Sequence, residues 1–157
     1  MIRGGLHEVV KVAKLWEPKT VTATLTDYNG HGYTTGNASG LDIRGYDEAM
    51  VELNLGAIAG GNLTVSLLES ETDDGTAATA ITNAASTAAA FSAKTTADQN
   101  KTHLLRIRAK DVKRYLFVKC INDTGDSKAF SINVLLSQAD KEPVTQDNTI
   151  DFDDSTP

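Results

Sequence analysis

Phe130-Ser131-Ile132-Asn133-Val134-Leu135-Leu136 is the stretch that decides the fold. Phe130, Ile132, Val134 and Leu136 fall at every second position, and a β-strand turns every second side chain to the same face. The run predicts a strand with one buried stripe. Immediately upstream, Asn122-Asp123-Thr124-Gly125-Asp126 is turn chemistry. Before that turn, Leu116, Val118 and Cys120 point one way, while Tyr115, Phe117, Lys119 and Ile121 point the other. A strand that is apolar on both faces lies inside a sandwich or under a subunit contact. The predicted core pairs the Phe130–Leu136 stripe with Leu116 and Val118.

The same period extends outward. Leu105 and Ile107 alternate with Arg106 and Arg108, and a tight turn is expected over Ala109 to Val112. Val51, Leu53 and Leu55, then Leu63, Val65 and Leu67, flank a turn holding Gly56, Gly60 and Gly61, which reads as a β-hairpin. Asp73-Asp74-Gly75 is a further turn, with Gly75 suited to positive φ. Residues 76–97 are rich in Ala and Thr; two short strands are expected there, near Ala78 to Thr82 and Ala89 to Ala93. Leu41 and Ile43 open a short strand ending at Gly45. Val21, Ala23 and Leu25 alternate with Thr20, Thr22 and Thr24 as another. About eight short strands separated by turns predict an all-β fold, an antiparallel β-sandwich or jelly roll.

The two ends break this period. In residues 1–18, Leu6, Val9, Val10, Ala13 and Trp16 recur at roughly helical spacing, so that segment is expected to be an N-terminal arm, either a short helix ended before Pro18 or an extended piece docking on a neighbour. Residues 19–140 form the sandwich domain. Residues 141–157 are a flexible acidic tail in which Ile150 and Phe152 are the apolar points.

Composition narrows the function classes. The 157 residues carry a net charge of -6, which argues against nucleic acid as a partner. Seven basic residues between Lys101 and Lys119 stand against one acid, Asp111, so the charge is uneven and could mark a contact surface. Cys120 is the only cysteine, which excludes an internal disulfide and predicts a buried thiol. No secretory leader is evident and no apolar run reaches roughly 18 residues, so a cytoplasm-made protein without a membrane partner is expected.

Chemistry is hard to find. His7, His31 and His103 are scattered, no serine sits in a nucleophile elbow, and the loop from Asp27 to Gly40 lacks the Gly-Lys-Ser/Thr ending of a phosphate loop. Zinc needs clustered Cys and His. Glu69, Glu71, Asp73 and Asp74 form an acidic turn without the spacing of a calcium loop. No catalytic, cofactor or metal residue is assigned, and the expectation is a non-enzyme. Tyr28, Tyr33 and Tyr46 leave a carbohydrate-binding module as an alternative.

Several segments resemble a family. Leu41-Asp42-Ile43-Arg44-Gly45-Tyr46-Asp47-Glu48-Ala49, Val51-Glu52-Leu53-Asn54-Leu55-Gly56, Leu68-Glu69-Ser70 with Asp73-Asp74-Gly75-Thr76, and Lys113-Arg114-Tyr115-Leu116-Phe117-Val118 look like small structural proteins encoded among the head genes of tailed bacteriophages. The resemblance covers roughly residues 40–136. It implies a capsid decoration, or cement, protein that binds the major capsid protein on the outer surface of the virion, commonly as a trimer. A tail or head-tail junction role is the alternative within that class. The residues expected to meet a partner are Leu6, Val9 and Trp16 in the arm, Arg106, Arg108 and Lys113 in the basic region, and Ile150 and Phe152 in the tail. The tail's acids are expected to meet basic groups on a partner, such as the Lys101–Lys119 region of a neighbouring copy.

Overall fold

The computed structural model describes residues 10–22, 25–28, 39–75, 77–82 and 88–139. Ten strands are present among them: β1 (Val10–Val21), β2 (Leu25–Tyr28), β3 (Leu41–Asp42), β4 (Tyr46–Ile58), β5 (Leu63–Ser70), β6 (Thr79–Ala80), β7 (Ala90–Lys94), β8 (Thr102–Arg108), β9 (Tyr115–Asn122) and β10 (Lys128–Ala139). Two single 3-10 turns, Thr96–Asp98 and Ala109–Asp111, flank β8.

The strands build two antiparallel sheets. The first has the order β1-β10-β4-β8; the second is centred on β9 and β5, with β2 and β3 along the outer side of β9 and β6 and β7 along the outer side of β5. The predicted stripe lies at the centre of the first sheet. Ile132, Val134 and Leu136 are fully buried, Phe130 nearly so, and they join Leu116, Val118, Val65 and Leu67 of the second sheet in one core cluster. Each such side chain contributes about 1.5–3 kcal/mol by leaving water. The thiol of Cys120 is buried in the same core, as expected. The chain is therefore a β-sandwich.

Three expectations are corrected. The segment expected as an arm through residue 18 is, from Val10 onward, strand β1, paired with β10 from Val10↔Ser137 to Val21↔Lys128. Register shifts between Lys14 and Trp16 and between Trp16 and Lys19 break the strict period of two, which is why the spacing of Ala13 and Trp16 imitates a helix. Leu6 and Val9 lie outside the described residues. Second, the strand read across Thr20 to Leu25 is divided: Val21 ends β1 in the first sheet and Leu25 opens β2 in the second. Third, β4 and β5 do not form a hairpin. β4 pairs with β10 and β8, whereas β5 pairs with β9, so the glycine turn between them carries the chain across the sandwich. The inward faces were predicted correctly because both strands bury the same alternate residues whichever sheet they join.

The two-faced character of β9 has an internal explanation. Phe117, on the outer face of the second sheet, is fully buried with Leu68 in a small cluster against Ala78 and Tyr115. Two glycines lie over it. A Cβ on Gly40 would stand 2.6 Å from Phe117 Cζ, and Gly75, at φ +66°, would place one 3.0 Å from Phe117 Cε1. The loops before β3 and after β5 thus close over this ring.

Candidate interaction surfaces

The polar side chains of the described residues form small clusters tied to structure. Arg114 donates to Asp42 Oδ2 from Nε at 3.1 Å and from Nη2 at 2.8 Å, and the Arg44 N–H donates to Asp42 Oδ1 at 3.0 Å. Burial alone would raise the Asp42 carboxyl, but the bonds from Arg114 and Arg44 outweigh it and hold its pKa below the ordinary value. At the far end of the sandwich, Lys128 is fully buried and donates to Asn122 Oδ1 and, at 3.1 Å, to Thr124 Oγ1. Asp123 accepts from the Asn62 N–H at 2.7 Å, which lowers its pKa first among several causes. These bonds fasten the β9–β10 turn to the β4–β5 turn.

A third cluster joins Lys94, Asp98 and His103. Lys94 Nζ lies 3.0 Å from Ser92 Oγ and 3.3 Å from His103 Nδ1, and His103 Nε2 faces Asp98 Oδ1 at 3.7 Å, too far for a hydrogen bond. Asp98 is held by the Thr95 N–H at 3.0 Å, completing a capping box. Among the described residues no group of three His, Cys, Asp or Glu could hold a metal ion.

The sequence-predicted partner residues fall as follows. Trp16 is not an external anchor. It is fully buried, stacked on Phe130 with ring centroids 4.8 Å apart, because β1 turns it into the core. Arg106 bonds Glu48 across the β4–β8 ladder, and Arg108 is exposed opposite Glu48 in register. Lys113 is half-buried; its N–H donates to Glu69 Oε2 at 2.8 Å and its Nζ to Thr79 Oγ1 at 3.2 Å. Arg106, Lys110 and Arg114 of the basic region each face a carboxylate of the same chain, on Glu48, Asp47 and Asp42 respectively. Ile150 and Phe152, like Tyr33, lie outside the described residues. Tyr46 is partly buried and packs against the core.

Two surfaces remain that the sequence reading did not find. On the outer face of the first sheet, the register sets Val12 opposite Leu135, Leu135 opposite Met50, and Met50 opposite Arg106, one row across all four strands. The next row is Lys14, Asn133, Glu52 and Leu104. Val12 is 47% exposed and Leu104 is 58% exposed. An apolar row with a charged border on an outer sheet face is suited to protein contact. The signal was present as paired apolar neighbours, Met50-Val51 and Val134-Leu135, of which only Val51 and Val134 were read, as core. The second surface is a groove of about 350 Å³ between the sheets at the β8 side, lined by Ile81, Ala89, Leu105, Ile107, Val112 and Arg108.

Comparison with known proteins adds little beyond the architecture. No family model matches the chain, and no curated protein matches it. Among solved structures, it is similar to the SPBc2 prophage-derived protein YomS, with a TM-score of 0.47 and 10% identity over 83% of this chain and 95% of that one. It is also similar to a subunit of the disulfide-linked pili formed by Bacillus endospore appendages, with a TM-score of 0.43 and 10% identity over 88% and 96%.

Proposed function

We propose that the protein is a structural component of a bacteriophage particle, a decoration protein that binds the major capsid protein on the outer surface of the shell. The observation that carries this reading is the outer face of the first sheet, where Val12, Leu135 and Met50 make an apolar row bordered by Arg106 and Leu104. Such a row contacts another protein without needing a moving part. The resemblance of residues 40–136 to phage head proteins supports the choice of partner. A β-sandwich held by a continuous apolar core suits a cement role, which asks for a rigid body. Each contact is weak, and repetition on the lattice makes attachment firm. In this reading the protein has no catalytic step, assembles as a trimer, is made in the host cytoplasm and ends on the virion.

The test is to raise an antibody to the purified chain and label intact particles of the phage that encodes it. Regular labelling of the head exterior is the expected result. Labelling confined to the tail or the head-tail junction, or none, contradicts it.

A further inference from the structure

A lysine ammonium is costly to bury unless a carboxylate lies against it. Lys128, at the start of β10, is fully buried. Among the described residues its Nζ has two acceptors, Asn122 Oδ1 and, at 3.1 Å, Thr124 Oγ1, and both are neutral. Asp123, the acid next to Asn122, is engaged elsewhere. It accepts from the Asn62 N–H at 2.7 Å and from Asn62 Nδ2 at 2.9 Å. Asn122, at the end of β9, is itself only 1% exposed. A primary amine is thus enclosed against a carboxamide, with no carboxylate bonded to it among the described residues.

We infer that Lys128 and Asn122 join in an intramolecular amide bond, which the folded chain forms on itself. The Nζ–Cγ bond forms and the Cγ–Nδ2 bond breaks. Nζ gives up two protons, and these leave with the departing nitrogen as ammonium. Atoms and charge balance, and no oxidant, metal or second reactant is required. The neighbouring groups suit each part of the exchange. The hydrogen bond to Oδ1 holds Nζ one covalent bond away from Cγ. Burial fixes both side chains, the condition under which an intramolecular attack gains most. The Thr124 N–H donates to Asn122 Oδ1 at 3.4 Å, where negative charge develops as Nζ adds. The Thr124 hydroxyl, in contact with Nζ, can carry its proton. Asn122 Nδ2 donates to the Asp126 carbonyl oxygen at 3.2 Å, which orients the leaving nitrogen. The product replaces a buried ammonium with a neutral amide, so the cost of burying that charge disappears. The bond also ties β9 to β10 across their turn. It is one event per molecule, without turnover, and it stands independently of the face assigned to the shell.

Intact mass spectrometry of the purified full chain tests the inference. The wild type should weigh one ammonia less than its sequence requires. Trypsin should leave Lys128 uncut, and the peptide that holds it should fragment as a ring closed between Asn122 and Lys128. Lys128→Met, which removes the amine and stays apolar in the core, should show the full mass of its sequence. A wild type at full sequence mass overturns the inference. So does an ammonia deficit that persists in Lys128→Met, which places the loss at another residue. If Lys128→Met does not fold, the tryptic map of the wild type decides alone, and cleavage after Lys128 overturns it.

Discussion

Trp16 stacks on Phe130 with ring centroids 4.8 Å apart and an interplanar angle of 29°, while the Lys19 ammonium sits 4.5 Å from the centre of the indole ring. This contact joins β1 to β10 in the core of the sandwich. Trp16→Ala is expected to cost about 3–5 kcal/mol, the range for a large buried aromatic. Denaturant unfolding of the isolated protein measures it. A loss well under 1 kcal/mol would mean that β1 is not part of the folded domain.

The central stripe gives the second expectation. Ile132 is fully buried between Trp16 and Leu53 in register. Ile132→Ala should cost about 2–5 kcal/mol. Ile132→Asp should abolish soluble folded protein, because an uncompensated charge cannot be held in that core. A well-folded Ile132→Asp variant would show that the register is wrong.

The closure over Phe117 is equally specific. A Cβ at residue 40 would meet Phe117 Cζ at 2.6 Å and Tyr115 Cβ at 2.7 Å, distances that force the loop or the ring to move. Gly40→Ala is expected to destabilise by about 1–3 kcal/mol, in the range of overpacked sites. Phe117→Leu in the same background should recover part of the loss in a thermal melt. Additive effects would separate the two positions.

These contacts also show what could be read from sequence. The alternation at Phe130–Leu136 and Leu63–Leu67 was legible because one buried face per strand imposes a period of two. β1 was not, since its register shifts at Trp16 and Lys19 disturb that period. The partnership of β4 and β5 was not legible either. A short glycine turn fits a hairpin and a crossing between sheets equally well, and the choice is made by pairings with β8, β9 and β10 far along the chain. The basic region from Lys101 to Lys119 was visible, but the carboxylates that face three of its side chains, Asp42, Asp47 and Glu48, come from β3 and β4. The outer row of Val12, Leu135 and Met50 exists only once four strands are in register.

Acid sensitivity should divide into two windows. Burial pushes the His103 imidazole below its ordinary 6.5; Lys94 and Lys101 push the same way against the pull of Asp98. A histidine depressed in the folded state contributes stability that is present above 6.5 and lost as the pH falls from there through its folded value. Asp42, Asp98 and Asp123, all lowered, contribute stability that is lost only below 3.8. The melting temperature of the wild type should therefore decline as the pH falls below 6.5, and His103→Gln should remove most of that decline. An identical decline in both proteins would show that His103 is not the titrating group.

The most direct test of the account is a cryo-electron microscopy reconstruction of the encoding phage's capsids, prepared without this protein and then incubated with it. The account predicts density for the sandwich at regular positions on the outer shell, with the face bearing Val12, Leu135, Met50 and Leu104 against the capsid. Val12→Ser with Leu104→Ser should remove that density while leaving the melting temperature of the free protein nearly unchanged, since both side chains are exposed. Capsids that stay bare with the wild-type protein, or density equally strong for the double variant, would contradict it.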